Sequence, residues 1–309
     1  EMAGLKGEDI QYVNAHGTGT PNNDISESKA LLRVFGDKMP MVSSTKMFTG
    51  HTTSASGSIE TVMCVLAMQN DFVPGNIGWK NPIPGGVIPT LGAEGVKIEN
   101  VVCNSFGFGG NDSSIVISKN PPVARASEGK TYTYSVVAQE YVNSQEDLKG
   151  LKEFVSPMES RRMGKLMKAA HLSALRALKN AGIECPDAII TATSRGMLEV
   201  SMQFLEDIAL NGEELLKPTL FMQSTHNTLS SALAIRVKCH GYNTTYSHGE
   251  DSFKWAMRDA VRLIESGKAT SVLVGEFDES TEIFSSFAQR AGKEVPEDIY
   301  AKALVLVRN

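Results

Sequence analysis

Three glycine-punctuated segments in the first third of the chain carry the residue types that do chemistry. They are Asn14-Ala15-His16-Gly17-Thr18-Gly19-Thr20-Pro21, Lys46-Met47-Phe48-Thr49-Gly50-His51 and Asn104-Ser105-Phe106-Gly107-Phe108-Gly109-Gly110. Together they supply two imidazoles and an ammonium on turns, a set suited to holding an oxyanion rather than to forming a nucleophile. Preorganised N–H donors aimed at developing negative charge are worth about 2.7–4 kcal/mol of barrier each. Taken singly, each histidine fits a satisfied turn or core position and Lys46 fits a solvated surface, because placed ionisable groups mark sites only statistically. Glycine's access to positive φ explains the glycines of the third segment as a tight turn, but not its two phenylalanines.

The combination resembles the C-terminal half of a β-ketoacyl-ACP synthase, a ketosynthase of the thiolase-like superfamily that condenses acyl units in fatty acid and polyketide assembly. The resemblance is carried by the three segments just quoted. It implies that His16 and His51 stabilise the enolate left by decarboxylation of a malonyl thioester. It further implies that Lys46 pairs with Glu27, that Phe108 gates the acyl pocket, and that Phe106 is packing. The family's cysteine nucleophile belongs to the N-terminal half of the fold, which does not precede His16 here. The chain starts without an initiator methionine and runs from Glu1-Met2-Ala3-Gly4-Leu5 straight into a strand-like run, so it reads as a fragment of something longer.

The elements that must position these residues alternate. Apolar runs at 10–13, 41–44, 96–104 and 113–117 read as strands, and 24–35 and 54–68 as helices, the second apolar on most sides and therefore buried. Strands interleaved with helices predict a layered α/β unit, and the last two strands, joined by the Phe-Gly loop, predict a hairpin. The stretch 119–129 is rich in Pro, Gly and small polar residues and reads as a linker between a first domain, 1–120, and a second, 130–309.

The second domain opens with a strand at 131–138. Ser156 and Glu159 then form a capping-box pattern with Pro157 at the first helical position, predicting a helix that runs to Gly182. A strand (188–193), helices (197–210 and 225–237), a strand (244–246), a helix (252–266), a strand (270–275) and a closing strand (301–307) follow. This order, with Arg161-Arg162-Met163, Asn180-Ala181-Gly182-Ile183 and Gly241-Tyr242-Asn243-Thr244-Thr245, resembles the N-terminal half of the same family. It is similar to a shortened chain-length factor of aryl-polyene or flexirubin-type systems. The expected fold is therefore α/β, a thiolase-like layered fold of the αβαβα type, as two half-domains in reversed order. Where the family's cysteine sits, counting along Gly241 to Glu250 reaches Glu250. A carboxylate there gains from a helix N-terminus but forms no acyl thioester. Cys239 reads as core, and His226 and His248 as helix-start or turn residues.

With 309 residues, 41% of them apolar, the chain has material for two domains with real cores. A net charge of −5 with dispersed Lys and Arg argues against nucleic acid. The cysteines Cys64, Cys103, Cys185 and Cys239 are scattered, with no metal-ligand spacing, and read as buried thiols of a reducing cytoplasm. No apolar run approaches the roughly 20 residues that span a bilayer, and no signal peptide is evident. No nucleotide-binding glycine motif is present.

The function implied by the resemblance is acyl transfer of the 3-oxoacyl-ACP synthase type. No cofactor or metal is bound directly, and phosphopantetheine is delivered by an acyl carrier protein. The implied partners are that carrier, a ketosynthase half or subunit bearing the cysteine, and a dimer or pseudo-dimer. The alternative of a different class is a non-catalytic, chain-length-factor-like scaffold. A thiolase or other acyltransferase is disfavoured by two histidines in place of a histidine and a second cysteine.

Overall fold

The computed structural model describes residues 3–108, 110–120, 131–214, 216–294 and 298–309. They fall into two compact units, one within Glu1–Gly107 and Asp112–Ala126, the other within Phe108–Asn111 and Ser127–Asn309. Of the expected linker, all but Lys119 and Asn120 lies outside the described residues.

The first unit runs β1 (Tyr12–Asn14), α1 (Pro21–Phe35), β2 (Met41–Ser43), α2 (Lys46–Thr49), α3 (Ser56–Gln69), β3 (Phe72–Val73), β4 (Ala93–Glu94), β5 (Asn100–Gly107) and β6 (Asn111–Ser118). Its main sheet has the order β2-β1-β5-β6. The central strand β1 pairs in parallel with both neighbours, Val13 lying opposite Val42 and Val102. Side chains alternate across a strand, so β1 feeds two cores. Tyr12 joins Cys64, Ala67 and Met68 of α3, and Val13 joins Leu31 of α1. Both helices are thereby fixed on the strand whose end leads into His16.

The second unit runs β7 (Tyr134–Val142), α4 (Pro157–Ser160), α5 (Lys165–Ala181), β8 (Ala188–Ala192), α6 (Leu198–Asn211), α7 (Pro218–Gln223), α8 (Thr228–Val237), β9 (Tyr242–Tyr246), α9 (Ser252–Glu265), β10 (Ser271–Glu279), α10 (Glu282–Arg290) and β11 (Ile299–Arg308). The sheet order is β7-β11-β10-β8-β9. Strand β8 is parallel to β9 and β10, while β11 is antiparallel to β10 and β7. Ile189, Leu273 and Val305 face the α5 core, and Ile190, Val272 and Leu304 face the α9 core. Burial on both faces explains why these strands read as continuous apolar runs instead of alternating ones.

Two helix expectations change, and one further helix appears. The capping box forms as read, Ser156 Oγ accepting from Glu159 N at 3.3 Å and Glu159 Oε2 from Ser156 N at 3.3 Å. The helix it starts nonetheless ends at Ser160. A new one, α5, begins after Gly164, whose extended backbone (φ −64°, ψ 169°) interrupts the path. The helix expected from Thr225 begins at Thr228 instead, preceded by the separate α7. Helix α10, capped by Thr281 Oγ1 accepting from Phe284 N at 3.2 Å, lies in a stretch where the sequence reading named no element.

Candidate active site

His16 follows β1 directly, and two asparagines shape its turn. Asn14 ties β1 to the start of α2, its Nδ2 donating to Thr45 Oγ1 at 3.1 Å. Gly17 has φ +48°, and a Cβ there would lie 2.5 Å from Ser44 Cβ, so glycine is required on both conformational and steric grounds. Glu27, projecting from α1, accepts His16 N at 2.9 Å and Gly17 N at 3.0 Å, one on each carboxylate oxygen. Asn104 of β5 donates to the same carboxylate at 3.2 Å and accepts from Ser114 Oγ at 2.7 Å. The first asparagine of both N-terminal and Phe-Gly segments is thus a positioning residue, a role the sequence reading did not assign.

The expected Lys46–Glu27 ion pair is not what forms. Lys46, 7% exposed, pairs with Glu60 of α3, itself 1% exposed. Glu27 is already engaged in clamping the His16 backbone, whereas Glu60 rises from the buried face of α3 beneath α2. A signal for it existed. Glu60 interrupts an otherwise apolar helix face, and a carboxylate placed there needs a partner. Burial raises the Glu60 carboxyl pKa and the Lys46 ammonium offsets part of that rise. Glu60 Oε2 has no hydrogen-bond partner among the described residues.

The same ammonium donates to His16 Nδ1 at 3.3 Å. An ammonium has no lone pair, so Nδ1 must accept and the ring proton must sit on Nε2. His16 is 5% exposed, and burial, then Lys46, then His51 lower its pKa to about 4. Near neutral pH, His16 is therefore a neutral imidazole with an N–H donor at Nε2. His51 lies 5.5 Å away, centroid to centroid, nearly perpendicular, with its Nδ1 3.0 Å from Ser56 Oγ. Two imidazoles and the Lys46 ammonium are thus gathered in one place. Phe106 stands beside His16 at 5.6 Å. Phe108, the expected gate, is 54% exposed and packs edge-on against Phe221 at 5.2 Å.

In the second unit, the turn between β9 and α9 carries Glu250, which is exposed. Ser252 Oγ donates to Thr193 O at 2.9 Å and Ser194 Oγ to Gly249 O at 2.9 Å, binding this turn to the loop after β8. That loop is in turn held by Asp278, which accepts Thr193 Oγ1 at 2.9 Å and the Arg195 amide at 2.9 Å. Cys239 is 8% exposed, as expected of core. Among the described residues, no group of His, Cys, Asp and Glu is arranged to hold a metal, and no helix is long and apolar enough to cross a membrane.

Parts of both units match a known protein family. Residues 137–309 match the family model "Beta-ketoacyl synthase, N-terminal domain", and residues 1–80 match "Beta-ketoacyl synthase, C-terminal domain". The chain belongs to the beta-ketoacyl synthase family, with the family's two domains in reversed order along it. Among curated proteins it is similar to the 3-oxoacyl-[acyl-carrier-protein] synthase 2 of Vibrio cholerae, 41% identical over 123 residues, or 38% of this chain and 30% of that protein. The enzyme of the same name from Coxiella burnetii is 43% identical over 122 residues, 38% of this chain and 29% of that protein. The chain thus spans less than a third of the length of these relatives, at 30% and 29%. The solved "PfaC Keto synthase-Chain length factor" covers 98% of this chain and 44% of its own, with a TM-score of 0.70 at 15% identity. The fold is the thiolase-like α/β fold.

Proposed function

We propose that the first unit supplies the decarboxylation half-site of a 3-oxoacyl-ACP synthase, in which an acyl thioester condenses with malonyl-ACP by decarboxylative Claisen chemistry. Loss of carbon dioxide from the malonyl thioester places negative charge on the thioester oxygen. His16 Nε2–H and His51 act as donors to that oxygen, Lys46 holds His16 in the donor tautomer, and Glu60 keeps the lysine charged and in place. Glu27 fixes the His16 backbone, and Phe108 is assigned the gate. The substrate arrives on the phosphopantetheine arm of an acyl carrier protein, which carries the thioester itself. The observation that supports this reading best is the Lys46 Nζ contact with His16 Nδ1 at 3.3 Å.

In the same reading, residues 1–120 are a ketosynthase C-terminal half, 119–129 a linker, and 130–309 an N-terminal-like half that does not form an acyl-enzyme. The exposed carboxylate of Glu250 at the β9–α9 turn favours the last point. A cysteine-bearing ketosynthase half on another segment or subunit completes the cytoplasmic enzyme, and the second half takes the place of a dimer partner.

The test is malonyl-ACP decarboxylation with the cysteine-bearing half supplied, comparing the unaltered chain with His16→Ala and His51→Ala. Removing one donor should lower the rate by about 100- to 1,000-fold. Unchanged rates in folded variants would refute the half-site and leave a chain-length-factor-like scaffold as the function.

A further inference from the structure

The β8–β9 ladder sets Ala188 opposite Tyr242 and Ile189 opposite Asn243 in parallel register. Cys185 and Cys239 lie three residues before the Ala188–Tyr242 pair, ahead of both strands, Cys239 at the end of α8 where its amide donates to Ala234 O at 2.9 Å. The backbones are in close apposition here, because a Cβ on Gly241 would lie 1.9 Å from Asp187 O. The two thiols converge on one carbonyl. Cys239 Sγ lies 3.1 Å and Cys185 Sγ 3.7 Å from Pro186 O, and Cys185 Sγ is also 3.6 Å from Lys238 O. Their exposures differ: Cys239 is buried, whereas Cys185 is open to solvent, contrary to the expectation of four buried thiols, because it lies on the surface turn between α5 and β8.

We propose that Cys185 and Cys239 form an oxidisable dithiol that closes to an intramolecular disulfide on exposure to a peroxide. A disulfide needs Cα atoms about 4.4–6.8 Å apart, and the approach of both Sγ atoms to Pro186 O brings the two thiols into one neighbourhood. The exposed Cys185 reacts first: its thiolate attacks one peroxide oxygen, the O–O bond breaks, and hydroxide leaves a sulfenic acid on Cys185. Cys239 then loses its proton to that hydroxide and attacks Cys185 Sγ. The S–S bond forms, the S–O bond breaks, and the departing hydroxide combines with the proton that Cys185 released to solvent on becoming a thiolate. Two thiols and one hydrogen peroxide give one disulfide and two waters. Burial raises the Cys239 thiol pKa, which suits it to the resolving step and not to the first attack. The bond would tie the start of β8 to the start of β9, beside a cavity of about 400 Å³ whose lining includes Ile183, Val237 and Lys238.

The intact chain would be treated with graded hydrogen peroxide, its remaining thiols blocked with N-ethylmaleimide, and its proteolytic peptides analysed by mass spectrometry without reduction. The expected result is a Cys185–Cys239 cross-linked peptide that disappears on reduction, with Cys64 and Cys103, both buried, recovered as thiols. Cys239→Ala should instead accumulate a dimedone-reactive sulfenic acid on Cys185. Cys185→Ser, an exposed and structurally mild change, should leave Cys239 unoxidised at the same dose. Recovery of Cys185 as sulfinic acid without the cross-link, or as an intermolecular disulfide, would overturn the proposal.

Discussion

Replacing Lys46 by methionine removes the ammonium from a site where both of its partners stay behind, the Glu60 carboxylate and His16 Nδ1. The ion-paired side chains are 6% and 1% exposed, so the remaining carboxylate is left in a dry environment. Breaking a buried pair in this way costs about 3–5 kcal/mol, much of which reflects the uncompensated charge. The Glu60 carboxyl pKa is already raised by burial and is pulled back by Lys46, so it climbs further once the lysine is gone. Glu60 then folds protonated while it is ionised in the unfolded chain. Because the folded state binds the extra proton, the variant loses stability as pH rises, by about 1.4 kcal/mol per unit across the window between the two pKa values. Lys46→Met/Glu60→Gln carries neither charge and should regain most of the loss, giving a coupling energy of about 2 kcal/mol or more. The corresponding cycle with Glu27→Gln should show little coupling. Urea unfolding is well suited to the measurement, because the chain has two tryptophans and a Trp255→Phe background leaves Trp79 reporting on the first unit. Lys46→Met should also let the His16 imidazole titrate above its present value of about 4. A loss below about 1 kcal/mol, or coupling to Glu27 in place of Glu60, would refute the reasoning.

Glu279, 1% exposed at the end of β10, has its pKa raised by burial to about 7 against an ordinary 4.5. The folded state therefore holds a proton that the unfolded state releases between these values, and stability falls as pH rises through that window, by about 3 kcal/mol in all. Glu279→Gln keeps an acceptor for the Glu199 amide, now at 2.8 Å from Glu279 Oε1, and should be the more stable protein at pH 8 in thermal unfolding. Equal stability at pH 8 would show that Glu279 is ionised in the folded state without cost. Gly17→Ala forces a Cβ to 2.5 Å from Ser44 Cβ at a positive φ. A loss of about 1–3 kcal/mol is expected from the backbone conformation alone, together with displaced His16 resonances in NMR spectra. An unperturbed spectrum would contradict the role given to this turn.

Much of the architecture was legible in local pattern. The apolar runs at Val13, Val42, Ile189–Ile190 and Val272–Val274 marked strands because burial on both faces favours apolar side chains at successive positions. The Ser156–Glu159 box marked a helix start because its two hydrogen bonds close within one turn. Gly164 was less legible, since a glycine within a helical pattern is compatible with either continuation or a break. Its extended backbone became definite only when α5 had to align with β7 and β11.

For the site, the residue types and their grouping were decided along the chain. Two histidines, a lysine and the glycines that let their turns close are local properties, and so is the reversed order of the two halves. The pairing of charges was decided elsewhere. Glu27 and Glu60 lie at comparable distances in sequence from the residues they serve, and spacing does not distinguish them. Packing of α1 against β1 brings Glu27 to the His16 amide, and packing of α3 under α2 brings Glu60 to Lys46. The tautomer of His16 and its low pKa follow from that same packing. They depend on which donor reaches Nδ1 and on how completely water is excluded, and both are properties of elements that meet only in the folded chain.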